Sequence, residues 1–138
     1  MNLNNITALL IPADMADPMK PVAISQALSS LYPIINTTIV TRLPAHKMEG
    51  GIWCDEDIFS HETKPAFNLR ATILVGVAVF GHVVYTREVR VGMDTMFASW
   101  DENNPLPFVP CVLQGFADAV QNSPAGKAMI AHHTEAMA

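Results

Sequence analysis

Residues 68–87, NLRATILVGVAVFGHVVYTR, hold the longest apolar run of the chain and limit its folding choices more than any other stretch. Within it, residues 71–85 are interrupted by Thr72, Gly76, Gly81 and His82. A membrane-spanning helix needs about 20 predominantly apolar residues. This run is shorter, and its glycines disfavour a helix interior. It reads instead as two buried strands, or as a short helix followed by a strand, at the centre of a globule. Arg70 and Arg87 stand at its margins.

The rest of the chain can surround such a core. At 138 residues it has the size of one domain. Half of its residues are hydrophobic and 15% are charged, which argues against disorder and hints that a partner covers some surface. The net charge is −5, and the eight Lys and Arg residues are scattered. Duplex binding depends on a basic face that neutralises phosphates, so duplex nucleic acid is not an expected partner. Mimicry of DNA would need a denser acidic array. Residues 1–5 carry no positive side chain and the apolar piece 6–11 stops at Pro12, so no signal peptide is read there. The expected setting is a cytoplasm, with no membrane partner. Thiols there are normally reduced, and Cys54 and Cys111 both read as small buried hydrophobes.

The local signals follow in order. Residues 6–11 form a strand ended by Pro12, and 13–18 a turn. Ile24, Ala27, Leu28 and Leu31 recur at helical spacing, predicting a helix over 22–32 stopped by Pro33. Residues 36–43 alternate as a half-exposed strand, 44–51 loop, and 52–54 make a short strand before the acidic turn Asp55-Glu56-Asp57. Polar residues 60–66 lead into the central run. Residues 91–93 break it, and Asp94 is a candidate N-cap for a short helix through Trp100. Helices are expected over 111–120, with Val112, Leu113, Phe116 and Val120 on its packed side, and over 125–138. The fold class is α+β: a small mixed or antiparallel sheet of about four or five strands packed with helices, plus a helical C-terminal tail. Residues 1–102 form the body, the proline-bearing 103–110 a connector and candidate hinge, and 111–138 the helical segment of one domain.

Four short pieces carry a resemblance: Ile-Pro-Ala-Asp at 11–14, Trp53 before the acidic turn, Asn-Leu-Arg-Ala-Thr at 68–72, and the strand 81–85 headed by Gly81. In this order and spacing the chain resembles a family of small proteins common in actinobacteriophages and related mobile elements. The likeness covers the first two-thirds, with His82 where the family pattern has Asp. The resemblance implies a phage or mobile-element origin and a host-cytoplasmic setting. It carries over no catalytic residue.

One constellation suits ligand binding. Asn68 caps a helix whose first turn holds Arg70 and Thr72, and free N–H groups beside a guanidinium make an anion pocket. Arg42, Arg87 and Arg90 join it if their strands are adjacent. In the plainer reading Asn68 only caps and Arg70 pairs with Asp55, Glu56 or Asp57.

Other candidates are thinner. Asp55, Glu56, Asp57, His61 and Glu62 lack the spacing of a calcium loop. His132 and His133 point about 100° apart on a helix, so zinc would need His82 and Cys54 to join them by folding. Cys111, at a helix start, has no evident His partner, and neither Gly-x-Ser-x-Gly nor a P-loop is present. Met129, Met137, Ile130 and Ala128 offer a seam for a homodimer.

The reading is a non-enzymatic phage-type accessory protein without metal or cofactor. It binds a host protein or sequesters a small anionic, nucleotide-like ligand, and so counteracts host defence. The alternatives are a small metal-dependent hydrolase using the acidic turn and histidines, and a structural or assembly protein.

Overall fold

The computed structural model describes residues 5–46, 48–58, 61 and 64–136. Six strands form one antiparallel sheet: β1 (Ile6–Ile11), β2 (Lys20–Ile24), β3 (Val40–Pro44), β4 (Gly51–Asp55), β5 (Val83–Val91) and β6 (Asp94–Ala98). Their order is β2-β1-β5-β4-β3, with β6 also paired to β5. The helices are α1 (Tyr32–Ile35), α2 (Leu69–Val75), α3 (Pro110–Asn122) and α4 (Pro124–Ala136). The architecture is α+β, as the sequence predicts, with more strands than the four or five expected. No helix among the described residues is long and apolar enough to cross a membrane.

The central run resolves into the second of its two readings, a short helix and then a strand. Asn68 caps α2 by accepting from the Ala71 amide at 3.0 Å, and Gly76 ends it in the left-handed region at φ 91°. Strand β5 then runs through the middle of the sheet, where Val83, Val84 and Tyr85 are wholly buried. Alternation along it divides the core. Val83 and Tyr85 join Leu9, Ile11, Ile52 and Cys54 beneath α2, Trp100 and Leu113. Val84 faces the other way, with Ala8, Ile24 and Phe97 beneath Leu31 and Ile35.

Two predicted helices are not formed as read. Over 22–32 the chain instead forms β2, a 3₁₀ turn at Leu28–Leu31, and α1. Residues 20–24 pair with β1, whose edge offers hydrogen bonds that a helix would forfeit, and Pro21 is tolerated because β2 is an edge strand. Pro33 sits in the first turn of α1 rather than stopping a helix, since its absent N–H has no intrahelical duty there. Asn36 follows in the left-handed region at φ 65°, which delays β3 until Val40.

Asp94 opens β6 rather than capping a helix. Val91 pairs with Asp94 across a two-residue turn in which Gly92 has φ 64°, so the chain folds back on β5. Strand β6 takes over the side of β5 that β1 leaves. β1 pairs with residues 83–85 and β6 with 87–91, and the Trp100 amide donates to Thr7 O at 3.0 Å where the two meet. On the opposite side β4 reaches only to Thr86, so the β5–β6 ribbon projects beyond it.

The connector lies on the core: Leu106 and Phe108 pack against it, and the Phe108 ring stacks on Tyr85 with centroids 5.7 Å apart. In α3 the inward residues are Leu113 and Ala117. Val112 and Phe116, expected on the packed side, are exposed, because Leu113 and Ala117 at i, i+4 occupy the face toward the sheet. Cys54 is buried as read, whereas Cys111 is exposed, because it stands on the outer side of the first turn of α3. Met137 and Glu62 of the sequence-based candidates lie outside the described residues.

Candidate functional site

Asn68, Arg70 and Thr72 do come together, as a buried knot. Asn68 and Arg70 are fully buried. The Asn68 amide nitrogen donates to Ile11 O at 3.0 Å and Gly81 O at 2.9 Å, while its oxygen caps α2. Arg70 Nη2 donates to Pro12 O and Asp14 O, at 2.8 and 2.9 Å, and Nη1 to Gln114 Oε1 at 2.8 Å. The Thr72 hydroxyl donates to Asn68 O and accepts from the Val79 amide.

No carboxylate of the acidic turn reaches Arg70; backbone carbonyls and a glutamine hold it. Burial lowers its pKa, opposed by the charges of Asp17, Asp14 and Asp118. The Ile-Pro-Ala-Asp piece, the Asn-x-Arg-Ala-Thr piece and Gly81 are therefore three parts of one fastening. It ties the end of β1, the start of α2 and the approach to β5 to α3.

The remaining arginines divide by strand parity. Arg87 points to the Tyr85 side and lies 3.6 Å from Glu49. Arg42 and Arg90 lie on the opposite face. Register sets Arg42 beside Trp53 on β4, and Glu88 beside Phe97 on β6. A groove of about 600 Å³ opens there, lined by Gln26, Leu28, Arg42, Trp53, Glu88, Thr95 and Phe97. Its floor is the edge-to-face pair Trp53–Phe97, with centroids 5.7 Å apart.

Glu88 organises the groove. Its carboxylate accepts from Arg42 Nε at 2.9 and 2.8 Å, Trp53 Nε1 at 3.3 Å and the Thr86 hydroxyl at 3.1 Å. The Glu88 side chain is 9% exposed and that of Arg42 is 40% exposed. Arg42 Nη2 donates to Gly50 O at 3.2 Å. The guanidinium is thus fixed through Nε, while N–H groups of its outer edge remain for a ligand. Gln26 closes the wall by exchanging hydrogen bonds with the Phe97 backbone at 2.7 and 2.9 Å. Arg90, further along the same face of β5, is exposed, with Nε donating to Gly92 O at 3.4 Å.

A second concavity lies at the far end of α1. This cleft, of about 310 Å³, is lined among others by Asp14, Ile35, Asn36, Asp55, His61 and His82. The knot holds two of its walls, Ala13–Asp14 and Gly81–His82, from behind. Asp55 and His61 of the acidic stretch meet here in a short hydrogen bond. His132 and His133 are elsewhere, with His133 stacked on Phe67. Cys54 is buried under the sheet, and its thiol is pushed up to about 11 by burial and then by the charges of Asp55 and Glu56. Among the described residues no three His, Cys, Asp or Glu side chains are grouped to hold a metal ion.

Sequence reading missed Trp53, Glu88, Phe97 and Gln26 as site residues. The alternation Val84, Thr86, Glu88, Arg90 marks one side of β5, but the register that sets Arg42 beside Trp53 has no local signal.

Comparison with family models gives no match, and comparison with curated proteins gives none. Among solved structures, the fold is similar to part of one described as the crystal structure of small RNA methyltransferase HEN1, at a TM-score of 0.56 and 15% identity. The match covers 94% of this chain and 18% of that one, so the chain spans less than a fifth of that protein's length. At this identity the likeness concerns the fold alone.

Proposed function

We propose that the chain is a phage-type accessory protein of the host cytoplasm that sequesters a small anionic, nucleotide-like ligand in the Arg42–Trp53 groove. The observation that carries this reading is the Glu88 clamp, which presents the Arg42 guanidinium beside an aromatic floor. A nucleobase has a π-face for Trp53, and a phosphate accepts charge-assisted hydrogen bonds from Arg42. Within the lining Arg42 is balanced by Glu88, and Arg90 stands further along the same face of β5 as a positive charge beyond that pair. The role read for the groove is binding.

Isothermal titration of the full chain against nucleoside monophosphates tests the reading, with inorganic phosphate and neutral nucleosides as comparisons. Monophosphates are expected to bind with heat, and Arg42→Ala to weaken them about tenfold to a hundredfold, the loss of one or two charge-assisted hydrogen bonds. Absence of heat with every monophosphate, or equal affinity in Arg42→Ala, defeats the proposal.

A further inference from the structure

We propose that the cleft at the end of α1 is a second, separate site that hydrolyses a small neutral carboxylic ester without a metal. Two imidazoles line this cleft, His61 and His82, and their surroundings fix opposite roles. The Asp55 side chain is 4% exposed. Its carboxylate accepts from the Thr37 hydroxyl at 3.0 Å, from the Asp57 amide at 2.9 Å and from His61. A carboxylate only accepts, so Nε2 of His61 carries a proton, and in the neutral imidazole Nδ1 holds the lone pair of a base.

His82 is fixed the other way. Its Nδ1 accepts from the Ala13 amide at 3.1 Å, so that nitrogen is bare and Nε2 carries the hydrogen. One cleft is therefore lined by both a base and a donor, the pairing that separates acid and base duties in hydrolytic sites. The carboxylates of Asp14 and Asp55 outnumber the Lys64 ammonium in the same lining, which disfavours a phosphoryl group and favours an uncharged acyl substrate.

The step balances with water as the only co-reactant. His61 Nδ1 takes a proton from water as the water oxygen bonds to the acyl carbon. The carbonyl electron pair moves onto its oxygen, which accepts a hydrogen bond from His82 Nε2. Collapse re-forms the C=O bond and breaks the bond to the alkoxy oxygen. That oxygen takes the proton from His61, releasing an alcohol and a carboxylic acid. His61 and His82 are the catalytic residues, and Asp55 is a positioning residue.

The test is steady-state hydrolysis of p-nitrophenyl acetate by the full chain, with free imidazole at equal concentration as reference and circular dichroism to confirm folding. The wild type is expected to exceed imidazole at least a hundredfold, as a positioned base and an oxyanion donor provide. His61→Gln should fall to the imidazole-free background and His82→Phe should lose most of kcat. His132→Gln, an exposed helix residue, should keep the full rate. Asp55→Asn should lower kcat about tenfold at unchanged KM, and the ¹⁵N spectrum of His61 should lose its single Nε2–H tautomer. Turnover no faster than imidazole, or a folded His61→Gln as active as wild type, overturns the proposal. An Asp55→Asn variant with unchanged kcat removes the positioning role.

Discussion

Arg70 lies wholly inside the fold. Side chains of its length and charge are almost never fully buried without partners, and Arg70 has three: Pro12 O, Asp14 O and Gln114 Oε1. Its planar fork explains the choice, because two terminal nitrogens held apart in one plane reach α3 and the chain after β1 together, whereas the three donors of an ammonium radiate from one point. Arg70→Met keeps most of the volume but strands the buried carbonyls. It should therefore destabilise the fold by about 2–4 kcal/mol, read as a lower urea midpoint at unchanged m-value. Arg70→Lys should recover only part of the loss. If Arg70→Met unfolds at the wild-type midpoint, the fastening does not hold the corner. Sequence reasoning found Asn68 as the cap and singled out Arg70. It assigns the guanidinium to a ligand or to the acidic turn, because two of the three acceptors are backbone carbonyls, which carry no residue-type signal, and the third, Gln114, is 44 residues away.

At the level of elements, glycines separate two kinds of local demand. Gly115 stands in the interior of α3, and a Cβ there would meet nothing within 4 Å. Gly115→Ala should raise stability by about 0.5–1 kcal/mol through helix propensity. Gly76 also has open space around it, but it closes α2 at φ 91°. Gly76→Ala should lower stability by about 1–2 kcal/mol, because an L side chain strains in the left-handed region. Thermal melts of the two variants should move in opposite directions, and a shared direction contradicts this account. Gly115 falls inside the helix that the sequence predicts over 111–120. Sequence reading misjudged the segment 22–32, where helical spacing of apolar residues was outweighed by the open edge of β1. Asp94 likewise read as a cap until the Gly92 turn placed it opposite Val91.

Across the whole molecule the sheet keeps one thiol from solvent and leaves the other on the surface. Cys54 is buried and Cys111 exposed. A thiol reagent at neutral pH should titrate one cysteine in the native protein and both in denaturant. Burial raises the Cys54 thiol from 9.0 to about 11, and raises the Tyr85 hydroxyl from its ordinary value. For an acid whose folded pKa is raised, the unfolded chain loses its proton first. The Cys54 contribution to stability is therefore complete below pH 9 and is lost as pH climbs toward 11. Denaturant midpoints measured across that window should fall in the wild type and fall less steeply in Cys54→Ala. Equal slopes would mean that Cys54 ionises no differently in the two states.

By itself the sequence determined the α+β class, the N-cap at Asn68 and a core within residues 71–85, of which Ala71, Leu74, Val79, Val83, Val84 and Tyr85 are buried while 76–78 are exposed. These follow from local periodicity and backbone chemistry, which neighbours in the chain suffice to specify. Only the tertiary structure decided the order β2-β1-β5-β4-β3, the ribbon formed with β6, and which arginines face inward. Strand register brings Arg42 to Trp53 across β3 and β4, and chain folding brings His61 and His82 to one cleft. Such meetings depend on hydrogen bonds and packing between residues far apart in sequence, and no local pattern encodes them.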